Sequence, residues 1–195
     1  MADGMYIAVS GAKAQGDALD VLANNIANAR TTAFRGEKVS FGEVLGSAQQ
    51  AKGQKAGYVG IAAVTEDKSS GSFITTNNPL DLALVGDGFF SVDTPQGTRY
   101  TRAGNFTLSA NGTIVDPAGH PARAQGGGNI TLPPGTKMIS VLHDGTVVAD
   151  GLDQGVLEMV RFAQGAMTRQ GASLYSVLPM ATPLESAAEV RQGTL

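Results

Sequence analysis

The constraint that most narrows the fold is the regular spacing of turn-forming residues between short apolar runs in the middle and C-terminal half of the chain. Asn111-Gly112 and Asp144-Gly145 are dipeptides that favour tight hairpins. Thr94-Pro95-Gln96-Gly97, Asp116-Pro117-Ala118-Gly119 and Pro133-Pro134-Gly135 punctuate the same region. Between them, residues 80–85, 89–93, 99–102, 105–108, 113–115, 138–142, 146–149 and 156–162 alternate or run apolar. So many short strands cannot lie in one flat hairpin, and the pattern predicts a small β-sandwich or partly open barrel over residues 80–180. Glycine supports this, at 26 of 195 residues against a usual share of about 7%. Gly86 or Gly88, beside Phe89 and Phe90, is expected at positive φ, where only glycine sits at little cost.

The N-terminal 30 residues have a different texture. Met5, Ala8, Ala12, Gln15, Leu19, Leu22 and Ile26 follow steps of three and four. This heptad seam predicts a helix over residues 3–30 that needs a partner helix. Asn24, Asn25 and Asn28 are poor helix formers. Their amides either cap a solvated helix end or hydrogen-bond to neighbouring chains in a packed helical layer. Residues 31–79 lack periodicity and contain a flexible Gln/Gly/Lys/Ala stretch at 49–57. The apolar pieces 39–45 and 58–64 read as strands or as part of an extended linker arm. Residues 181–195 form a polar, Ala-rich tail that is expected neither to cap a helix nor to close a sheet. The predicted fold class is therefore mainly β with an N-terminal α-helix: a small β-sandwich or partly open barrel domain plus an extended linker arm.

Composition then removes most chemistry. Fourteen Lys and Arg against 17 Asp and Glu leave a net charge of −3, so no basic field is present to attract nucleic acid or anionic lipid. Cysteine is absent, which excludes disulfides, thiolate metal sites and cysteine nucleophiles. His120 and His143 are the two histidines; each lies in a turn and reads as a solvated polar residue. No zinc-ligand spacing or nucleophile elbow accompanies them. The glycines of residues 85–90 and 126–128 do not open a helix after a strand, as a phosphate-binding loop would. Residues 1–12 lack the positive start and apolar core of a cleavable signal peptide. The chain is expected to be no enzyme and to bind no cofactor, metal, nucleic acid or small-molecule substrate.

Two motifs are specific. Met5-Tyr6-Ile7-Ala8-Val9-Ser10-Gly11-Ala12 is followed by Leu19-Asp20-Val21-Leu22-Ala23-Asn24-Asn25-Ile26-Ala27-Asn28-Ala29 and by Thr31-Thr32-Ala33-Phe34-Arg35. Further on stands Asn78-Pro79-Leu80-Asp81-Leu82-Ala83-Leu84-Val85-Gly86-Asp87-Gly88-Phe89-Phe90-Ser91-Val92, then Tyr100-Thr101-Arg102-Ala103-Gly104-Asn105-Phe106. The first set resembles the N-terminal signature of the rod and hook family of bacterial flagellar axial proteins. The second is similar to that family's β-domain signature. The length and single modest β domain are most similar to its proximal-rod branch, with the distal rod as the rival.

The resemblance implies a structural subunit of the basal-body rod that transmits motor torque. It implies helical assembly with other rod proteins and copies of itself, export by the flagellar type III apparatus without a cleaved leader, and a place in the periplasmic rod. Met5, Ala12, Leu19, Leu22, Asn24, Asn25, Ile26 and Asn28 are the candidate assembly residues. The family's second helical segment would begin where this sequence stops, so the resemblance implies a truncated chain with its seam unpaired or paired with another copy. The alternative from a different class is a monomeric β-sandwich binding module.

Overall fold

A computed structural model of the chain describes residues 2–45, 57–67, 69, 71–171 and 173–195. The chain divides into two compact units: residues 1–30 with 35–70, and residues 31–34 with 71–195.

In the first unit α1 spans Ala2–Ala27. The strands β1 (Glu37–Leu45) and β2 (Gly57–Glu66) pair antiparallel with one irregularity between Ser40 and Phe41. Both strands lie against α1. The stretch expected as an extended arm therefore folds back as a hairpin on the helix. The physical reason is that α1 carries a second stripe of small residues, centred on Ala14, that needs a flat surface. The hairpin supplies one, with Val39 and Ile61 half-buried. The stretch 49–57, expected from its composition to be flexible, lies outside the described residues except for Gly57.

Among the described residues the second unit holds thirteen strands. A six-stranded sheet runs in the order β12 (Met167–Gln170), β13 (Leu174–Val177), β5 (Gly97–Thr101), β4 (Phe89–Thr94), β11 (Met159–Arg161) and β14 (Leu184–Glu185). A three-stranded sheet orders β10 (Leu152–Val156), β9 (Thr146–Ala149) and β8 (Ile139–Val141). Two short pairs complete it: β15 (Glu189–Gln192) with β3 (Leu82–Val85), and β6 (Thr107–Leu108) with β7 (Ile114–Val115). The architecture is mainly β with one N-terminal helix and a sheet curled into a half barrel, as the turn pattern predicts. One core joins these sheets. It includes Leu82, Leu84, Phe90, Val92, Phe106, Ile114, Ile130 and Val147, and Phe90 and Phe106 meet edge to face at 5.3 Å.

The tail is the correction. Residues 181–195 do close a sheet: Glu189–Gln192 pairs with Leu82–Val85, and Val190 is 1% exposed in the main core. The Gln192 amide donates to the carbonyls of Pro79 (2.8 Å) and Ile139 (3.1 Å). Beyond it, Ile74 and Leu195 exchange backbone hydrogen bonds at 2.8 and 3.0 Å. The inward Ala188 and Val190 alternate with outward Glu189 and Arg191, but a period of two over four residues is too short to stand out from a polar context.

Two glycines are fixed by geometry. Gly86 turns the chain between β3 and β4 at φ +101. The Arg102 guanidinium donates to the carbonyls of Leu84, Gly86 and Gly88 there, at 3.2, 2.9 and 2.9 Å. At Gly104 the constraint is proximity, because a Cβ would overlap the carbonyl of Leu82, to which the Gly104 region is tied by Leu82 N–H donating to Gly104 O at 2.9 Å. Gly104→Ala is expected to destabilise the β unit by about 1–3 kcal/mol through overpacking, and Gly86→Val by about 1 kcal/mol or more through backbone strain. Thermal melting of the full chain measures both. Removal of residues 186–195 is expected to abolish the cooperative transition, whereas a solvated tail could be removed without effect.

Candidate assembly surface

The helix α1 has two stripes, and among the described residues one of them packs within its own unit. At 3.6 residues per turn, Ser10, Gly11, Ala14, Ala18, Val21 and Asn25 fall on one side. That side is rotated by roughly 140° from the line through Met5, Ala12, Leu19 and Ile26. Burial follows this division. Ala14 is 3% exposed, while Met5, Leu19, Leu22 and Ile26 are 65, 63, 52 and 66% exposed. Small residues let the helix backbone come close to the hairpin. The large side chains of the heptad seam point the other way, and exposed Ala12 lies with them. Val9 joins this stripe and is exposed too. A strict three-and-four reading passes it over, although it lies one helical turn from Met5. Phe41 and Val64, also exposed, extend the apolar surface of this unit onto the hairpin. They could have been found only by pairing the two strands.

The three asparagines do not act alike. Asn25 is half-buried and clips the start of β1: its Nδ2 donates to the Glu37 carbonyl at 2.8 Å, and the Glu37 N–H donates to its Oδ1 at 2.9 Å. Both ends of that amide are thus spent inside the chain. The Asn28 Nδ2 donates to the Asn24 carbonyl at 3.0 Å, within the last turn. The Asn24 side chain is exposed, but two residues from Ile26 it falls about 160° away around the helix. The structure therefore groups Met5, Ala12, Leu19, Leu22 and Ile26 on the open side, leaves Asn24 exposed away from that stripe, and assigns Asn25 and Asn28 to internal bonds.

The ends of the hairpin are tied by charge. Lys38 and Asp67 stand 2.7 Å apart and Arg35 and Glu66 4.0 Å apart. The Asp67 N–H donates to the Gly36 carbonyl at 2.7 Å. The Lys38 ammonium, followed by the N–H and hydroxyl of Ser69, holds the Asp67 carboxyl well below the usual carboxylate range. A depressed folded-state pKa stabilises the unit above the ordinary value of about 3.9, and that stabilisation fades as pH falls through the folded value. Asp67→Asn is accordingly expected to lower the helix melting temperature at pH 7. The difference from the parent is expected to shrink as pH falls below about 4, which circular dichroism between pH 7 and pH 2 measures.

Neither histidine is a free solvated group. The Nδ1 of His120 is 2.9 Å from the Asp116 carboxylate, whose other oxygen accepts from the N–H groups of Ala118 and His120. His143 Nδ1 reaches the Val190 carbonyl at 3.2 Å. Both brace turns of the β unit. Among the described residues no group of three or more His, Cys, Asp or Glu side chains is placed to hold a metal ion, and no helix is long and apolar enough to cross a membrane.

One unit thus offers an exposed apolar helix stripe, and the other is a β unit built around one core. Comparison with known proteins gives it a family. Residues 5–35 match the family described as flagella basal body rod protein, and residues 83–149 the flagellar hook protein FlgE/F/G D1 domain. The flagellar basal-body rod protein FlgF of Rhizobium meliloti is 36% identical over 94% of this chain and 74% of its own length. The chain belongs to the flagellar basal-body rod proteins. FlgF of Caulobacter vibrioides is 32% identical over the whole of this chain and 81% of its own length. FlgG of Bacillus subtilis is 35% identical over 88% of this chain and 72% of its own length. Proteins of this family are structural, not enzymes. The rod-family match covers α1 and the turn after it. The D1 match runs from β3 to β9, while the strands from β10 to β15 complete the same unit beyond it.

Proposed function

We propose that this chain is a subunit of the proximal rod of the bacterial flagellum, assembling helically with other rod proteins and with copies of itself to transmit motor torque. The observation that carries the reading is the open apolar stripe of α1. Met5, Leu19, Leu22 and Ile26 are exposed although the same helix already packs on its hairpin through the opposite stripe. Burying each large side chain stabilises by about 1.5–3 kcal/mol, so four of them supply a substantial driving force for a helical layer of subunits. A shaft needs directional contacts and a stiff body rather than a reacting centre, and the β unit with its single core supplies the body. Delivery by the flagellar type III apparatus, and residence in the periplasmic part of the basal body, belong to the same reading and rest on family membership.

Leu22→Asp tests it. The β unit of the purified variant is expected to melt as the parent does, because Leu22 lies in the other compact unit and is exposed. In cells the variant is expected to abolish rod completion and swimming. A lowered melting point of the β unit with normal swimming contradicts the assembly role. The similarity to FlgG at 35% identity makes the distal rod the specific rival. Complementation separates the two: the full gene is expected to restore swimming to a strain lacking FlgF and not to one lacking FlgG.

A further inference from the structure

We propose that Thr31–Phe34 is a clasp, a four-residue segment that docks on the β unit and fixes there the connection arriving from α1. These residues sit in sequence between α1 and β1, yet they group with residues 71–195 and not with their neighbours. Phe34 is half-buried, and its ring lies under the Arg169 guanidinium, 4.5 Å from the central carbon. A cation over a ring face is attracted by the ring's quadrupole, more strongly where water is displaced. Arg169 stands on β12 opposite Tyr175 of β13, so the two side chains share one face of the sheet. Tyr175 is buried and meets Phe89 edge to face at 5.3 Å, and Phe89 lies under Arg102 at 5.8 Å. Phe34 thus extends an existing layer of rings and guanidinium groups on the sheet face that carries Phe89, opposite to the core-facing Phe90.

The backbone makes the same point independently. Ala33 has φ +56, a left-handed conformation that costs any residue with a side chain and that glycine would take freely. Such a residue persists only where its surroundings over-determine it. The Phe34 N–H donates to the Thr31 carbonyl at 3.1 Å and closes the turn, but one turn bond does not fix an alanine there. Docking of the next residue does. The second place where the N-terminal part of the chain joins the β unit has a similar device, since the ring of Phe73 lies under Arg191 at 5.4 Å. For a torque-bearing subunit, the first anchored point on the β unit is then Phe34 rather than residue 71. That consequence rests on the rod reading, whereas the clasp itself does not.

Limited trypsin digestion of the full chain reads the clasp directly, because Arg30 and Arg35 flank it. Phe34→Ala and Arg169→Met are each expected to speed cleavage after Arg30 and Arg35 by roughly two- to thirtyfold, the factor matching loss of one cation–π contact. The double variant is expected to be no faster than the faster single one, and cleavage after Arg102 and Arg123 is expected to stay at the parent rate. Ala33→Gly keeps the contact and removes the backbone cost, so it is expected to slow cleavage at the flanking arginines. Unchanged cleavage in both single variants, additive acceleration in the double variant, or faster cleavage in Ala33→Gly overturns the clasp. Should Phe34→Ala unfold the β unit and expose Arg102 and Arg123, Arg169→Met and Ala33→Gly decide alone. None of these readouts depends on a rod, so failure here leaves the rod reading intact.

Discussion

The seating of α1 on its hairpin through small residues is the interaction on which the rest depends. Ala14 and Ala18 let the helix approach β1 and β2, and Asn25 clips the strand that follows by two hydrogen bonds to Glu37. A helix can bury one stripe against a hairpin, and once that stripe is chosen the opposite one must face outward. Had the large residues Leu19, Leu22 and Ile26 packed inward, the unit would be more stable alone and would have nothing apolar to offer a neighbour. The structure spends small side chains on internal packing and leaves the large ones exposed.

The β unit answers a different requirement. Its core draws residues from Leu80 to Val190, so its stability rests on contacts far apart in sequence. The final strand is central to this: Val190 fills the core, the Gln192 amide joins Pro79 to Ile139, and Leu195 bonds to Ile74. The segments entering and closing the unit therefore lie side by side. A rigid body held at its own seams, with glycine at the closest backbone approach and Arg102 clamping the β3–β4 turn, suits a part that bears load rather than one that opens for a ligand.

Much of this was legible in the sequence, for physical reasons that differ from place to place. The turns at Asn111-Gly112 and Asp144-Gly145 announce hairpins because their backbone demands are local, and the sheets appear where those turns predict them. The heptad seam identified α1 and its exposed residues because helical periodicity extends over 26 residues. What escaped was non-local. The hairpin of residues 37–66 declares itself only when a helix stripe is there to receive it. The strand at Glu189–Gln192 is four residues long and polar on alternate positions. The role of Asn25 depends on a backbone twelve residues away, and that of Phe34 on an arginine that the chain brings back from position 169. The two histidines looked solvated because their partners, Asp116 and the carbonyl of Val190, are set by turn and sheet geometry.

The central claim is that one stripe of α1 is internal to the subunit and the other is reserved for the assembled rod. The natural absence of cysteine makes this directly measurable by maleimide labelling of single Ala14→Cys and Leu22→Cys variants, in the purified chain and in isolated basal bodies. The account predicts that Leu22→Cys labels rapidly in the free chain and is protected in basal bodies, while Ala14→Cys resists labelling in both. Equal labelling of Leu22→Cys in the two states, or protection of it in the free chain, would contradict the account.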